Sequence, residues 1–140
     1  MDLNTGFSIR PLEENDYDDI LFDWWKDWGF TPPVKAFLPE DATGGMIVYD
    51  GDVPVCAGFL YITNSKIVLV NWIVSNKQYR KKPNRRIAID LLIQSLTNIA
   101  RSLGYEYSHV LIKNSALEST YERLGYTKSI TYTNELIKKL

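Results

Sequence analysis

Residues 114–126, with the sequence NSALESTYERLGY, decide how this chain is interpreted. They contain a short helix at residues 116–124, which Gly125 stops because glycine readily adopts the left-handed conformation that ends helices. Just before this stretch, residues 107–113 predict a β-strand, and residues 129–137 predict another after it. The end of the chain is therefore expected to place one short helix between two strands.

The most clearly predicted helix lies upstream, from Asn84 to Leu103. Its apolar side chains recur at helical spacing, and Gly104 closes it. These side chains are Ile87, Ala88, Leu91, Leu92, Leu96, Ile99, Ala100 and Leu103. One apolar face of this helix is thus expected to pack against a sheet.

The first half of the chain predicts a strand at residues 7–12 and a helix at residues 17–28. Residues 31–43 contain three prolines and predict a loop with at most one helical turn. A meander of three antiparallel strands follows, at residues 46–49, 53–63 and 66–75. The predicted order is β-α-loop-β-β-β-α-β-α-β. This order indicates an α/β (α+β) fold with a mixed, mostly antiparallel sheet of about six strands flanked by helices.

The composition fits one domain spanning residues 1–140. The chain has 140 residues, of which 45% are hydrophobic, enough for one core. The N-terminus lacks the pattern of a signal peptide, so we expect a cytoplasmic protein. One cysteine, Cys56, and one histidine, His109, cannot form a disulfide or a structural zinc site. We expect no metal, and we expect Cys56 to serve packing.

The charges are distributed unevenly along the chain. Residues 1–52 carry twelve acids and three bases, whereas residues 53–140 carry five acids and thirteen bases. Six of these bases crowd into residues 77–86, just before and inside the first turn of the long helix: Lys77, Arg80, Lys81, Lys82, Arg85 and Arg86. A basic loop can simply be solvated. However, bases at a helix N-terminus oppose the macrodipole unless an anion binds there, which favours a phosphate site.

A nucleic acid fits this basic segment less well than a small phosphate-bearing ligand does. The basic residues are confined to one loop, the isoelectric point is about 5.8, and most aromatic residues lie elsewhere. We therefore expect no nucleic-acid partner, and no membrane partner either.

Two stretches resemble the GNAT superfamily of acyl-CoA-dependent N-acetyltransferases, and the element order resembles it over nearly the whole chain. In residues 114–126 an Asn after a strand opens a helix that carries a Tyr and ends in Leu-Gly-aromatic. This resemblance implies a GNAT-like fold with acetyl-CoA as cosubstrate. It also implies that Asn114 binds the pantetheine arm and that Tyr121 is the general acid for the departing thiolate.

The second stretch, residues 74–92, is similar to the family's strand, pyrophosphate loop and helix. The family's loop reads Gln or Arg, two residues, Gly, one residue, then Gly or Ala. Here the corresponding positions are Pro83, Arg86 and Ala88, of which only Ala88 fits. We expect charge to replace part of the backbone donors in this loop. The resemblance implies that the cofactor contacts the following residues: Ile73, Val74, Arg80, Arg85, Arg86, Ile87 and Ala88.

The resemblance further implies direct attack of a primary amine on the thioester. Where the family often has a carboxylate base, this strand has Asn71, which cannot accept a proton. A water chain, His109 or a carboxylate from the acidic half could take that part. The acceptor pocket is expected to include Trp28, Phe30 and Asp27.

The acceptor is expected to be a small-molecule amine or a peptide, and the chain a monomer or homodimer. The alternative prediction is a catalytically inactive GNAT-like domain that binds acyl-CoA or a protein partner. The incomplete glycine pattern of the loop and the missing strand carboxylate motivate this alternative.

Overall fold

A five-stranded sheet lies at the centre of the computed structural model, which describes residues 6–81 and 83–140. Its strands lie side by side in chain order: β1 (Phe7–Pro11), β2 (Gly45–Asp50), β3 (Val53–Ile62), β4 (Ile67–Ser75) and β5 (Tyr107–His109). The first four strands are antiparallel, and β5 runs parallel to β4. The predicted mixed, mostly antiparallel sheet is confirmed. Lys82 of the basic loop and residues 1–5 lie outside the described residues.

Helices cover both faces of this sheet. A π-helical turn, Tyr17–Leu21, runs into α1 (Phe22–Asp27); α2 (Asn84–Ser102) and α3 (Ser115–Arg123) follow later in the chain. Two 3-10 turns, Lys35–Phe37 and Pro39–Ala42, interrupt the proline-rich loop between α1 and β2. Within the described residues, no helix has both the length and the apolar character needed to cross a bilayer.

Strand alternation sends neighbouring side chains to two separate cores. Ile47 of β2 and Ala57 of β3 pack with Trp24 and Trp25 on the α1 face. The adjacent residues Val48 and Cys56 pack on the opposite face, beneath α2 and α3. That second core also holds Val55, Val70, Ala88, Leu92, Ile93, Leu96 and Tyr121. The sheet is therefore the middle of three layers, with α1 on one face and α2 and α3 on the other.

The sheet has five strands rather than six, because residues 129–137 form none. Tyr126 still contacts the fold, through an edge-to-face contact with Tyr121 and a hydrogen bond between its hydroxyl and Ser108 Oγ. Beyond it the chain is exposed and pairs with no strand in the described part of the protein. A strand forms only where a neighbour takes its backbone hydrogen bonds, and local sequence preference cannot provide that neighbour.

β5 is also shorter than predicted, since it ends at His109 and not at residue 113. The reason lies in the side chains that meet the two strands at this point.

Candidate functional site

The candidate site is the opening where β4 and β5 separate. The two strands pair over Ile67–Leu69 and Tyr107–His109 only. The first rung of their ladder is a hydrogen bond of 3.1 Å from the Tyr107 N–H to the Lys66 carbonyl. Rungs of a parallel ladder recur every two residues along each strand. A continued ladder would therefore join the Leu111 N–H to the carbonyl of Val70.

Two side chains form hydrogen bonds with these backbone groups. The Tyr121 hydroxyl donates to the Val70 carbonyl at 2.9 Å, and Asn71 Oδ1 accepts from the Leu111 N–H at 3.0 Å. Each group is satisfied without the other, so the strands can separate with no loss of hydrogen bonding. Beyond this point, β4 up to Ser75 presents an edge that no strand of the described residues pairs with.

Tyr121 reaches the opening from α3 and lies deep in the fold. The side chain is only 2% exposed, and burial raises the pKa of its phenol well above the usual 10. The hydroxyl consequently keeps its proton at neutral pH and acts as a donor. Its present acceptor is a β4 carbonyl at the very point where the strands part.

A bulge in β4 lies one residue beyond Asn71. Trp72 has φ +59°, a left-handed conformation that costs a non-glycine residue about 1–3 kcal/mol. The register between β3 and β4 shifts here, opposite Gly58. A Cβ on Gly58 would clash with Cδ1 of Ile73, so the glycine makes room for the bulged strand. Bulges re-aim the backbone and side chains that follow them, in this case Ile73 and the buried Val74.

Asn114 begins α3 beside the opening. Its side-chain Oδ1 accepts from the Leu117 N–H at 3.0 Å, which is an N-cap. Because the cap uses the oxygen, the side-chain NH2 is the group left to donate to a ligand. Asn114 is exposed, so this donor is accessible to solvent.

The N-terminus of α2 lies at the end of the basic loop. No side chain caps it and no acid lies in its first turn within the described residues, so its first N–H groups keep their partial positive charge. Arg80 and Arg86 are exposed here, Ile87 is half-buried and Ala88 is buried in the core. This end of α2 therefore combines the positive end of the helix dipole with two exposed arginines.

Arg85 differs from its basic neighbours because it is engaged within the loop. Its Nη2 donates to the carbonyls of Asn76, Lys77 and Tyr79, and its guanidinium lies 5.6 Å from the ring centroid of Trp28. Its Nε is buried and has no hydrogen-bond partner among the described residues. Arg85 thus organises the loop from inside, while its direct contact with a cofactor stays a prediction.

Trp28 connects the end of α1 with this loop. Its indole N–H donates to the Ser75 carbonyl at 2.8 Å, at the last residue of β4. Lys77 lies 5.2 Å from the Trp28 ring centroid and donates to the carbonyl of Asp27. Trp28 and Asp27 are therefore at the carboxyl end of β4, whereas Phe30 is simply exposed nearby in sequence. The acceptor role of these three residues stays a prediction.

Sequence reasoning missed Trp72 and the anchor of the basic loop. A glycine inside a strand is a recognised sign of a bulge, so Gly58 was the available signal for the first. The anchor is a hydrogen bond of 2.6 Å from the Tyr79 hydroxyl to Asp50, the last residue of β2. No local pattern indicates this contact, since the two residues are far apart in the sequence.

Cys56 and His109 do not form a Cys-His nucleophilic pair. Cys56 is completely buried, and burial raises the pKa of its thiol, which disfavours the reactive thiolate. His109 is exposed at the end of β5. The described residues contain no group of three or more His, Cys, Asp or Glu side chains that could hold a metal ion.

Comparison with known proteins identifies the fold. No family model and no curated protein sequence matches this chain. Solved structures do match it, among them a mutant of the protein TTHA1254 from Thermus thermophilus, with 16% identity, a TM-score of 0.69 and coverage of 95% of this chain and 98% of the other.

Two further structures carry a named activity. The ribosomal-protein-S18-alanine N-acetyltransferase from Escherichia coli has 16% identity and a TM-score of 0.67, covering 88% of this chain and 79% of its own. N-acetylglutamate synthase from Neisseria gonorrhoeae, complexed with coenzyme A and N-acetyl-glutamate, has 18% identity and a TM-score of 0.63, covering 84% of this chain and 27% of its own. The chain therefore has the GNAT acetyltransferase fold, which confirms the fold that the sequence predicted.

Proposed function

We propose that this protein is an N-acetyltransferase that transfers an acetyl group from acetyl-CoA to a primary amine. The observation that carries the proposal is the opened β4–β5 ladder, in which the Tyr121 hydroxyl and the Asn71 amide occupy the two backbone groups of the missing rung. Both side chains hold open a strand edge at which a proton donor is already present. The named activities of the structural neighbours support acetyl transfer as the reaction.

The residues around the opening fit acetyl-CoA. The pantetheine arm is extended and contains amide groups, which can pair with the free edge of β4 at Ile73 and Val74. The side-chain NH2 of Asn114 is a further donor beside this edge. Pyrophosphate oxygens suit the uncapped N-terminus of α2, with Arg80 and Arg86 as charged partners.

Bound acetyl-CoA supplies an activated thioester, and the chain's own residues provide position and protons. Tyr121 holds a protonated phenol that can turn from the Val70 carbonyl towards the leaving sulfur. Asn71 keeps the strands apart through Leu111 and has no basic atom to offer. Deprotonation of the amine falls to His109, to a carboxylate of the acidic first half or to a water chain.

The acceptor belongs to the class of primary amines. The two neighbours with named reactions act on an alanine of ribosomal protein S18 and form N-acetyl-glutamate, respectively. A small amine or a peptide N-terminus would approach from the carboxyl end of β4, past Trp28, Phe30 and Asp27. The exposed aromatic rings and the acid would favour a cationic ammonium group before it loses its proton.

Isothermal titration with acetyl-CoA is the first test. We expect saturable binding with one site per chain and weaker binding of pantetheine fragments that lack the pyrophosphate. Release of free CoA thiol is then followed with a panel of amines: spermidine, kanamycin, glutamate, an alanyl peptide and a lysyl peptide. No binding at millimolar acetyl-CoA would refute the proposal. If acetyl-CoA bound but neither acetyl transfer nor thioester hydrolysis occurred, the protein would instead be a non-catalytic acyl-CoA-binding domain.

A further inference from the structure

The β4 bulge places an aromatic side chain on the face of the opening that Tyr121 does not occupy. Val70, whose carbonyl accepts from Tyr121, packs in the core beneath α2 and α3. Trp72, two residues further along β4, instead contacts Trp25 of the α1 core, edge-to-face at a centroid distance of 6.2 Å. Trp72 is also 39% exposed. Tyr121 and Trp72 therefore meet the same short stretch of β4 from opposite faces of the sheet.

The backbone of Trp72 is held in a conformation that tryptophan does not favour. Its φ is positive, which is unusual for a bulky residue, and strain of this kind persists only where surrounding contacts fix it. One such contact is Trp25, which stacks on Phe59 of β3 at a centroid distance of 6.5 Å and meets the Trp72 ring with its edge or face. Strained residues occur most often at functional sites. The strain at Trp72 thus indicates that the position of its ring matters.

Tyr61 connects Trp72 to the loop between α1 and β2. Tyr61 is a half-buried residue of β3, and its hydroxyl donates to the Phe37 carbonyl at 2.7 Å. The Trp72 indole N–H, which can only donate, is a hydrogen-bond partner of the same hydroxyl. Burial raises the pKa of Tyr61 to about 12, although the bond from Trp72 acts in the opposite direction, so the hydroxyl keeps its proton at neutral pH. Hydrogen bonds therefore link the β4 bulge to this loop through one side chain.

We propose that Trp72 selects the acceptor amine and that Tyr61 positions Trp72 for this task. The inference rests on the proposed acetyl transfer. Tyr121, which would protonate the leaving thiolate, approaches with α3 from one face of the sheet, and α2 packs on that face as well. The acceptor therefore reaches the thioester from the α1 face, where the bulge presents the exposed ring of Trp72.

The ring of Trp72 defines the class of acceptor. Its N–H is already used by Tyr61, so the ring offers the acceptor a broad apolar face and no free polar group. Phe37, at the other end of the hydrogen-bond link, is exposed as well. Such a surface favours a primary amine with a flat, apolar group close to the reacting nitrogen, because that group can pack on the indole. An amine with only a short alkyl chain gains less.

The test compares 2-phenylethylamine with ethylamine by release of CoA thiol, at equal concentrations of the neutral amine. In the wild type we expect kcat/KM to be at least about tenfold higher for 2-phenylethylamine, through packing of its ring on the indole. Trp72→Gly should bring this ratio to within about threefold of one, because glycine accepts the left-handed φ and removes only the ring. Trp72→Leu, which keeps an apolar contact with Trp25, is the second variant and should also lower the ratio.

Tyr61→Phe removes the hydroxyl that joins Trp72 to Phe37 and leaves both rings in place. We expect the ratio to fall about three- to tenfold, through a higher KM for 2-phenylethylamine. In the Trp72→Gly background the same change should not alter the ratio further, because Tyr61 acts through Trp72. Tyr17→Phe is the matched control, since the Tyr17 hydroxyl also donates to a carbonyl of the same loop, that of Pro33, at 2.6 Å. It should leave the ratio unchanged.

A measurement without substrate separates this inference from the proposed function. The indole N–H signal of Trp72 is the one that Trp72→Gly removes from the NMR spectrum, and it should shift and exchange faster in Tyr61→Phe but not in Tyr17→Phe. If the wild type transfers acetyl groups but does not prefer 2-phenylethylamine, or if Trp72→Gly lowers kcat/KM equally for both amines, the inference is overturned. If no amine reacts, the proposed function is refuted together with the selecting role of Trp72, and the NMR signal then reports only the link to Tyr61.

Discussion

Tyr121→Phe removes a single oxygen atom from the centre of the proposed site. The ring of Tyr121 is buried and packs edge-to-face on Tyr126, at a centroid distance of 4.9 Å, and phenylalanine preserves this packing. What is lost is the hydroxyl that donates to the Val70 carbonyl. The variant therefore separates the chemistry of the hydroxyl from the packing of the ring.

The structure allows the two effects of this change to be compared. Losing a neutral hydrogen bond and leaving the Val70 carbonyl without it should lower the free energy of unfolding by about 1–3 kcal/mol. Losing a general acid should lower kcat by about 10²- to 10⁴-fold, which is roughly 2.7–5.4 kcal/mol of transition-state stabilisation. If Tyr121 only supports the fold, the folded variant should turn over at nearly the wild-type rate.

The assay is release of CoA thiol with the best acceptor of the amine panel, at a temperature where the variant is fully folded by circular dichroism. We expect kcat to fall about a hundredfold or more while the Kd for acetyl-CoA changes little, since binding relies on β4 and α2. Because burial raises the pKa of Tyr121, the wild-type kcat should show no tyrosine titration between about pH 6 and 9.

Tyr126→Phe is the matched control. Its hydroxyl is also hydrogen-bonded, but to Ser108 Oγ of β5 and not to the Val70 carbonyl, and its ring touches the ring of Tyr121. This variant should lose a similar amount of stability and keep its kcat. If Tyr121→Phe lowered kcat by less than about threefold, or if both variants lowered it equally, the assignment of Tyr121 as the acid would be refuted.

Three further predictions concern the framework of the site. Asp16→Asn should lower the free energy of unfolding by about 2–4 kcal/mol at pH 7 in urea titrations, because the carboxylate binds both terminal nitrogens of Arg10, at 2.8 and 3.0 Å, and the Glu13 N–H. Burial acts to raise the pKa of the Asp16 carboxyl, but these bonds outweigh burial and lower it. The wild type should therefore lose this stability as the pH falls through the pKa of Asp16 in the folded protein. If acid unfolded the variant and the wild type at the same pH, the reasoning would be contradicted. Gly58→Ala should lower the free energy of unfolding by about 1 kcal/mol or less, the low end of overpacking costs, because the atom it meets, Ile73 Cδ1, ends a side chain that can turn away. Ile73→Val, which removes that atom, should restore part of this loss in a double-mutant cycle. Asn71→Ala combined with Tyr121→Phe should weaken acetyl-CoA binding in calorimetry far more than either change alone, because both backbone groups of the missing rung are then free to join; additive effects would argue against this.

The fold could be predicted because its signals are local. The four-residue spacing of apolar side chains in α2 and the Asp-Gly turn at Gly51 each act within a few residues. Helical spacing places Trp24, Trp25 and Trp28 on one apolar stripe; the first two are buried, whereas Trp28 is partly exposed at the end of α1. Tyr121 and Asn114 were found through resemblance, since nothing in their own spacing assigns them a chemical role.

The opening itself could not be predicted, because it depends on contacts between distant residues. Tyr121 meets Val70 fifty-one positions away, and Asn71 meets Leu111 forty positions away. The sequence analysis placed Asn71 among the catalytic residues, at the position where the family often has a carboxylate base, and did not predict its contact with Leu111. The opposite holds for residues 129–137. Their sequence favours a strand, but no strand of the described residues pairs with them.

Arg85 explains how the basic loop can form without the family's glycine pattern, as the proposed phosphate site requires. Glycines allow a tight loop because they accept unusual backbone angles. Here the Arg85 guanidinium gathers three loop carbonyls, and Trp28 covers it, so a side chain supplies the curvature instead. The inward position of Arg85 also removes one like charge from the surface and leaves Arg80 and Arg86 exposed near the start of α2. A base in the first helical turn, unfavourable for the helix alone, thus stabilises the loop that a phosphate would need.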